Sequence, residues 1–323
     1  MSDAEPRRDG RLPLLIVGGF LGAGKTTWLR HQLHEGRFGR VHLIVNEAAQ
    51  TPVDNLLLER ADSIDVIAGG CACCDGREHL LKSLREFCER QAAAVDLGSQ
   101  TLVLETSGLA DPGKIAGAIA RDPILARRLF LHRTIVLVDA LHACELLQSE
   151  ALAWCQVEVA DEIIITKAID VPVLERSRVA ATLRQISPSS QISFADFGVA
   201  ADLSTDPLAL PYPIIARSAQ EGQIRPYRLN VSGAGGWVSL SAWLSAVLEA
   251  RGDSIVRVKG VVRTPAGRLL LQSVRREVQP PEILPESKIG GGTVPDDDLI
   301  VLIGRNIDQQ RLEASWRRFG LGC

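Results

Sequence analysis

Hydrophobic residues in the first two thirds of the chain follow two periods in turn. Short, nearly continuous apolar runs rich in β-branched residues fall at residues 14–17, 41–45, 64–67, 101–104, 134–138 and 162–165. Such runs predict strands buried on both faces of a sheet, because a strand with one wet face would alternate instead. Between several of them lie stretches of helical length and period. Residues 26–35 stop at Gly36, residues 77–94 put Leu80, Leu81, Leu84, Phe87 and Cys88 on one face, and residues 173–186 begin just after Pro172. Strand and helix in alternation predict an α/β fold, a mostly parallel sheet flanked by helices.

From about residue 203 the texture changes. Pro207, Pro211 and Pro213 crowd a stretch that runs to Arg225-Pro226 and reads as a linker. Beyond it the pattern gives strands near 227–231, 255–262, 268–272 and 299–303, with helices over 240–250 and 308–319. A loop at 290–298, with three glycines and three aspartates, separates the last strand from the others. These elements predict a small C-terminal α+β domain. The expected division is 11–205, a linker at 206–226, and 227–323; there are no internal repeats.

The chain has 323 residues, 46% hydrophobic and 23% charged, values that suit two packed domains and exclude a disordered or fibrous chain. No uncharged apolar run reaches the ~18 residues of a membrane span, and the charged N-terminus has no apolar segment of its own. The expectation is a cytoplasmic protein with no membrane partner. Net charge is −3, unevenly shared: residues 222–323 hold fourteen basic and ten acidic residues, a balance of +4, which leaves −7 on the rest. That basic excess is too dilute, and too poor in aromatics, to argue for nucleic-acid binding.

Gly19-Phe20-Leu21-Gly22-Ala23-Gly24-Lys25-Thr26 matches G-x-x-x-x-G-K-[ST], between a predicted strand and a predicted helix as a true P-loop requires. Glycines let successive backbone N–H groups face phosphate oxygens at the positive end of the helix dipole. Gly22, Ala23, Gly24, Lys25, Thr26 and Thr27 are therefore candidate nucleotide-binding residues. Lys25 reaches the β- and γ-phosphates, and the Thr26 hydroxyl ligates Mg2+. Glu105, ending the run at 101–104, is the candidate second acid that orders Mg2+ or the attacking water; Gly108 is placed to meet a γ-phosphate through its N–H. Asp139 is the competing carboxylate. After the run at 162–165, Thr166-Lys167-Ala168-Ile169-Asp170 approaches a guanine-reading [N/T]-K-x-D turn with one residue too many. It favours guanine over adenine, with capping of the next helix as the other use for Asp170.

Seven cysteines in a chain of this size, with no secretory signal, do not suggest a disulfide framework. Cys88, Cys144, Cys155 and Cys323 are scattered and read as small fillers. Cys71, Cys73 and Cys74 stand together behind Gly69-Gly70. Three soft thiolates with no second pair suit a thiophilic ion and leave a coordination position open, as metal transfer needs. A redox dithiol and inert packing are the other readings. The last of the six histidines is His142, and His79 alone lies near the thiols in sequence.

Taken together, residues 18–27, 70–74, 105–112 and 138–140 resemble the CobW-like GTPases, metallochaperone-type P-loop proteins related to the nickel-insertion proteins UreG and HypB. Residues 256–262 and 301–305 resemble that family's small C-terminal domain. The resemblance implies hydrolysis of GTP with Mg2+, with Lys25 and Glu105 in catalytic roles. It also implies Zn2+ or Co2+ held by Cys71, Cys73 and Cys74 near Glu47, the nucleotide switching whether the ion is held or released. The ion would go to a client metalloprotein or a metallocofactor-assembly enzyme, from a monomer or homodimer. Three departures stand out. Asn46-Glu47-Ala48-Ala49-Gln50 carries Gln50 where the family has a second acid, the guanine turn is one residue longer, and no histidine-rich stretch follows. A small-molecule kinase with structural cysteines, or a purely regulatory GTPase, are the rival readings.

Overall fold

The computed structural model describes residues 10–47, 63–68, 75–92, 100–213, 225–232, 236–252, 254–265, 267–284 and 298–320. The chain forms two compact units, residues 1–216 and 217–323.

The first unit runs β1 (Leu12–Gly19), α1 (Lys25–His34), β2 (Arg40–Glu47), β3 (Ser63–Ala68), α2 (Asp75–Ala92), β4 (Gln100–Thr106), α3 (Pro112–Arg121) and α4 (Leu125–Arg128). It continues through β5 (Leu129–Asp139), α5 (Ala143–Ser149), α6 (Ala151–Glu158), β6 (Glu162–Thr166), α7 (Val173–Ile186), β7 (Gln191–Asp196) and β8 (Val199–Ala201). Its eight strands lie in the order β3-β2-β4-β1-β5-β6-β7-β8. Every pair is parallel except the terminal β7–β8 pair.

Both faces of this sheet are covered, which explains the continuous apolar runs. Leu15 and Val17 of β1 share a core with Trp28, Leu29 and Leu33 of α1. Leu14 and Ile16, which alternate with them and so point the other way, are equally buried. Further along the sheet, Ile135, Leu137 and Ile164 join the core of α1. Their neighbours Val136, Ile163 and Ile165 pack with Val157 of α6 and with Val179 and Leu183 of α7.

Three differences from the sequence expectation have physical causes. β5 begins five residues before the expected 134, since exposed His132 and half-buried Arg133 break its apolar run. β7 and β8 escaped notice because β7 is only partly buried along most of its length and β8 has three residues. The short helices α3 to α6 give less than three full turns each, too few to establish a period.

The second unit contains β9 (Arg225–Asn230), α8 (Gly236–Arg251), β10 (Ile255–Thr264), β11 (Gly267–Val274), β12 (Glu277–Val278), β13 (Glu282–Leu284), β14 (Leu299–Gly304) and α9 (Gln309–Gly320). Its antiparallel sheet runs β12-β11-β10-β14-β9, with β13 on β11. Arg225 and Pro226 belong to β9 rather than to the connection before it; Pro226 is tolerated there because β9 is an edge strand. Trp243 of α8 and Trp316 of α9 meet edge to face at 5.4 Å, and the Trp243 indole N–H donates to Ser315 Oγ at 3.0 Å. Burying one such ring contributes about 3 kcal/mol. The expected loop at 290–298 lies outside the described residues apart from Asp298. Among the described residues, no helix is long and apolar enough to cross a membrane.

Candidate nucleotide and metal site

The loop from Gly19 to Gly24 turns β1 into α1. Gly24 occupies the N-cap position at φ 83°, a left-handed conformation that a side chain would oppose, and α1 has neither a side-chain cap nor an acidic residue in its first turn. The amides that open a helix are a ready anion site when no side chain takes them. Lys25 Nζ donates to the carbonyls of Gly19, at 2.9 Å, and Phe20, at 3.1 Å, so its charge sits inside the loop. Ala23 is buried, and Thr166 Oγ1 donates to its carbonyl at 2.9 Å, tying the end of β6 to the loop.

Sheet register assembles the rest. Glu105 of β4 lies opposite Val17 of β1 on one side and Val45 of β2 on the other. The carboxylate is buried and accepts from the Thr26 hydroxyl, Oγ1 to Oε1, at 2.6 Å. Two hard oxygen donors meeting where β4 ends beside the first turn of α1 fit Mg2+, whose chemistry is oxygen ligation shared with substrate phosphates. Thr27 lies in that same first turn.

After β4 the chain passes through Ser107 and Gly108 over the phosphate loop. A Cβ on Gly108 would lie 2.6 Å from the Leu21 backbone nitrogen, so only glycine permits this approach. Gln156 of α6, itself buried, holds the segment from the other side: Nε2 donates to the carbonyls of Gly108 at 3.2 Å and Ala110 at 2.7 Å. Asp111 then caps α3, accepting from the amides of Gly113 and Lys114, with Pro112 in the first turn. The sequence reading missed Gln156; its one signal was a polar residue inside the apolar run 151–157.

Asp139, the competing carboxylate, has partners other than Thr26 in the hydrogen bonds it makes. It accepts from Lys167 Nζ at 2.7 Å and from His142 Nδ1 at 3.1 Å through Oδ2, and from the Leu141 amide at 2.8 Å through Oδ1. Burial alone would raise its pKa, but these hydrogen bonds and the Lys167 charge outweigh it and hold the carboxyl below its ordinary value. Lys167 and Asp170 are exposed, whereas Thr166 is buried. Asp170 is not the cap of α7, whose N-cap is Pro172 with no side-chain hydrogen bond.

On the other side of the phosphate loop, Glu47 and Ala68 are register partners at the ends of β2 and β3. Cys71, Cys73 and Cys74 follow Ala68 in sequence but lie outside the described residues, as does the Glu47 side chain. Among the described residues no group of three His, Cys, Asp or Glu side chains is arranged to hold a metal. Cys88 is buried, and that burial pushes its thiol up to about 11, in keeping with a filler role.

A bare helix N-terminus behind a glycine loop, a lysine inside that loop and a threonine–carboxylate pair beneath it define a P-loop nucleotide-binding protein. The chain belongs to the CobW/HypB/UreG family: that family's nucleotide-binding domain matches residues 13–194, and the cobalamin synthesis protein CobW C-terminal domain matches residues 228–320. It is 29% identical over 279 residues to the zinc chaperone YjiA of Escherichia coli, covering 82% of this chain and 86% of that one. It is 34% identical over 140 residues to the zinc chaperone CobW of Pseudomonas aeruginosa, covering 40% and 36%. The crystal structure of Zn(II)-bound YjiA GTPase from E. coli has the same fold, with a TM-score of 0.57 at 22% identity over 95% of this chain and 98% of that one.

Proposed function

We propose that this chain is a GTP-hydrolysing metallochaperone that carries zinc, or alternatively cobalt, on Cys71, Cys73 and Cys74 and passes it to a client. The observation that carries the reading is the Thr26–Glu105 contact beneath the phosphate loop, on the same strand edge that runs through Glu47 to the residues preceding the thiols. Relatives named zinc chaperones support zinc as the ion.

Amides at the start of α1 and the Lys25 ammonium bind the β- and γ-phosphates, Lys25 exchanging the Gly19 and Phe20 carbonyls for phosphate oxygens. Thr26 and Glu105 would hold Mg2+, which when bound neutralises charge on the β- and γ-phosphates. Glu105 also orients the attacking water. The Gly108 N–H meets the γ-phosphate, and its loss on hydrolysis frees the segment that Gln156 clamps. Thr166, Lys167 and Asp170 receive the guanine. The sequence offers no recognisable arginine finger, so intrinsic turnover is expected to be slow.

A change at Gly108 is passed along the sheet edge by Glu105, Glu47 and the ends of β4, β2 and β3, which are adjacent in register. Three thiolates with an open position bind a thiophilic ion yet still release it to a competing ligand. The receiver is a client metalloprotein or a metallocofactor-assembly enzyme, and the chaperone works as a monomer or homodimer.

Protein purified without an affinity tag tests the reading through two assays: phosphate release from GTP with Mg2+, and metal content. The expected result is slow GTP hydrolysis and one zinc per chain, with the zinc lost in Cys71→Ser/Cys73→Ser/Cys74→Ser. GTP turnover with no stoichiometric metal would leave a regulatory GTPase, and phosphate appearing on a small molecule instead of in water would leave a kinase.

A further inference from the structure

Asp139 ends β5, yet hydrolysis as described above gives its carboxylate no task. That carboxylate is 6% exposed and fully engaged, with the Leu141 amide on Oδ1 and both Lys167 and His142 on Oδ2. Lys167 has φ 56°, a left-handed conformation that is unfavourable for a lysine and persists only where its surroundings impose it. Two further bonds fix the neighbourhood: the Ala140 amide donates to the Thr166 carbonyl at 2.9 Å, and Thr166 Oγ1 donates to the Ala23 carbonyl at 2.9 Å. The lysine ammonium is thus pinned at the end of β5 while its side chain remains 44% exposed. A lysine held at its charged tip offers its methylene stem as an apolar rail of fixed position.

Resting on the base-recognition reading above, we propose that Asp139 is a positioning residue for Lys167, and that by pinning the ammonium it sets the preference for guanine over adenine. With the tip held, the stem lies along one face of the purine, and the 167–170 turn begins from a fixed point. Asp170, exposed three residues on, then accepts from guanine N1 and N2, donors that adenine lacks at those positions. With the tip released, the lysine samples many rotamers, the turn loses its anchor, and a purine is held by its phosphates alone.

Fluorescent GTP and ATP analogues, titrated with Mg2+ present, provide the test on wild type, Asp139→Asn, Lys167→Met and the double variant. Asparagine keeps an acceptor for the Leu141 amide but turns a donor or a neutral oxygen toward the ammonium. The expected result is that Asp139→Asn lowers the GTP-over-ATP preference about tenfold, the worth of one charge-assisted hydrogen bond, because ATP loses only the stem contact whereas GTP loses the stem and the Asp170 acceptor together. In the Lys167→Met background the same substitution has no further effect, which a merely structural role for Asp139 would not produce. If Asp139→Asn does not fold, Asp139→Glu, which displaces the charge by one methylene, carries the same prediction. Equal weakening toward both nucleotides, or additive effects in the double variant, overturns the inference. Wild type showing no preference for GTP overturns the base-recognition reading along with it. A preference that survives Asp139→Asn intact overturns this inference alone.

Discussion

The Thr26 hydroxyl lies 2.6 Å from Oε1 of Glu105, joining the first turn of α1 to the end of β4 across 79 residues of sequence. Glu105→Gln keeps the shape and the acceptor for Thr26 but removes the charge. We expect kcat for GTP to fall roughly 100-fold, as for loss of a group that orients or activates the nucleophile, while GTP still binds. Single-turnover hydrolysis alongside analogue titration separates the two effects; a fall in binding with unchanged turnover contradicts the role given to Glu105.

Gly108→Ala places a methyl group 2.6 Å from the Leu21 nitrogen and 2.8 Å from its Cα, both backbone atoms that cannot step aside cheaply. The Gly108 segment must lift from the phosphate loop. The expected outcome is loss of the difference between GTP and GDP affinity, with GDP affinity retained because GDP has no γ-phosphate to meet. Equilibrium titration of both nucleotides gives the answer directly.

Gln156→Leu removes the donor shared by the Gly108 and Ala110 carbonyls inside a buried site. Two acceptors then lack that partner, and unfolding stability should fall by about 1–3 kcal/mol, read as a lower urea midpoint at unchanged m. Because Gly108 is no longer held, kcat should drop more than KM rises. A purely structural role would lower the midpoint and leave both constants alone.

Asp122 supplies the pH dependence. Burial tends to raise its pKa, but hydrogen bonds from the Leu125 and Ile124 amides and from Arg85, 2.7 Å away, prevail and lower it. A carboxyl with a depressed folded pKa stabilises fully above its ordinary value, and that contribution disappears as pH falls through the folded pKa. Asp139 behaves in the same direction. Urea midpoints should therefore hold steady above about pH 5 and decline below about pH 4. Asp122→Asn should cost roughly 1 kcal/mol near neutral pH and flatten part of that acid decline. An unchanged acid slope in Asp122→Asn would remove Asp122 from the account.

What was legible in the sequence follows from the range of each interaction. Ile16 and Val17 read as a strand because both faces of β1 are covered, so no polar residue interrupts the run. The phosphate loop was readable because its chemistry depends on eight consecutive residues. By contrast, β7 alternates weakly at the sheet's end, and its partner β8 is too short to carry a period. The Asp139–Lys167 pair spans 28 residues and the Gln156–Gly108 bond 48, distances at which no local spacing rule operates. Asp139 was therefore weighed as a metal carboxylate on its position at a strand end, a position that serves equally well to hold a lysine. The three-thiol site was legible only as composition and order, and it lies outside the described residues.

The central claim is that the nucleotide governs the metal, and zinc affinity measured in two nucleotide states tests it most directly. A competing chromophoric chelator reports the zinc dissociation constant of the same protein saturated first with a non-hydrolysable GTP analogue and then with GDP, Mg2+ being present in both. Coupling between two sites of one domain predicts dissociation constants that differ by at least about fivefold, with the reciprocal change in GTP affinity when zinc is added. Equal zinc affinity in the two states would contradict the account, because a nucleotide that does not distinguish the metal-holding from the metal-releasing form cannot drive transfer between them.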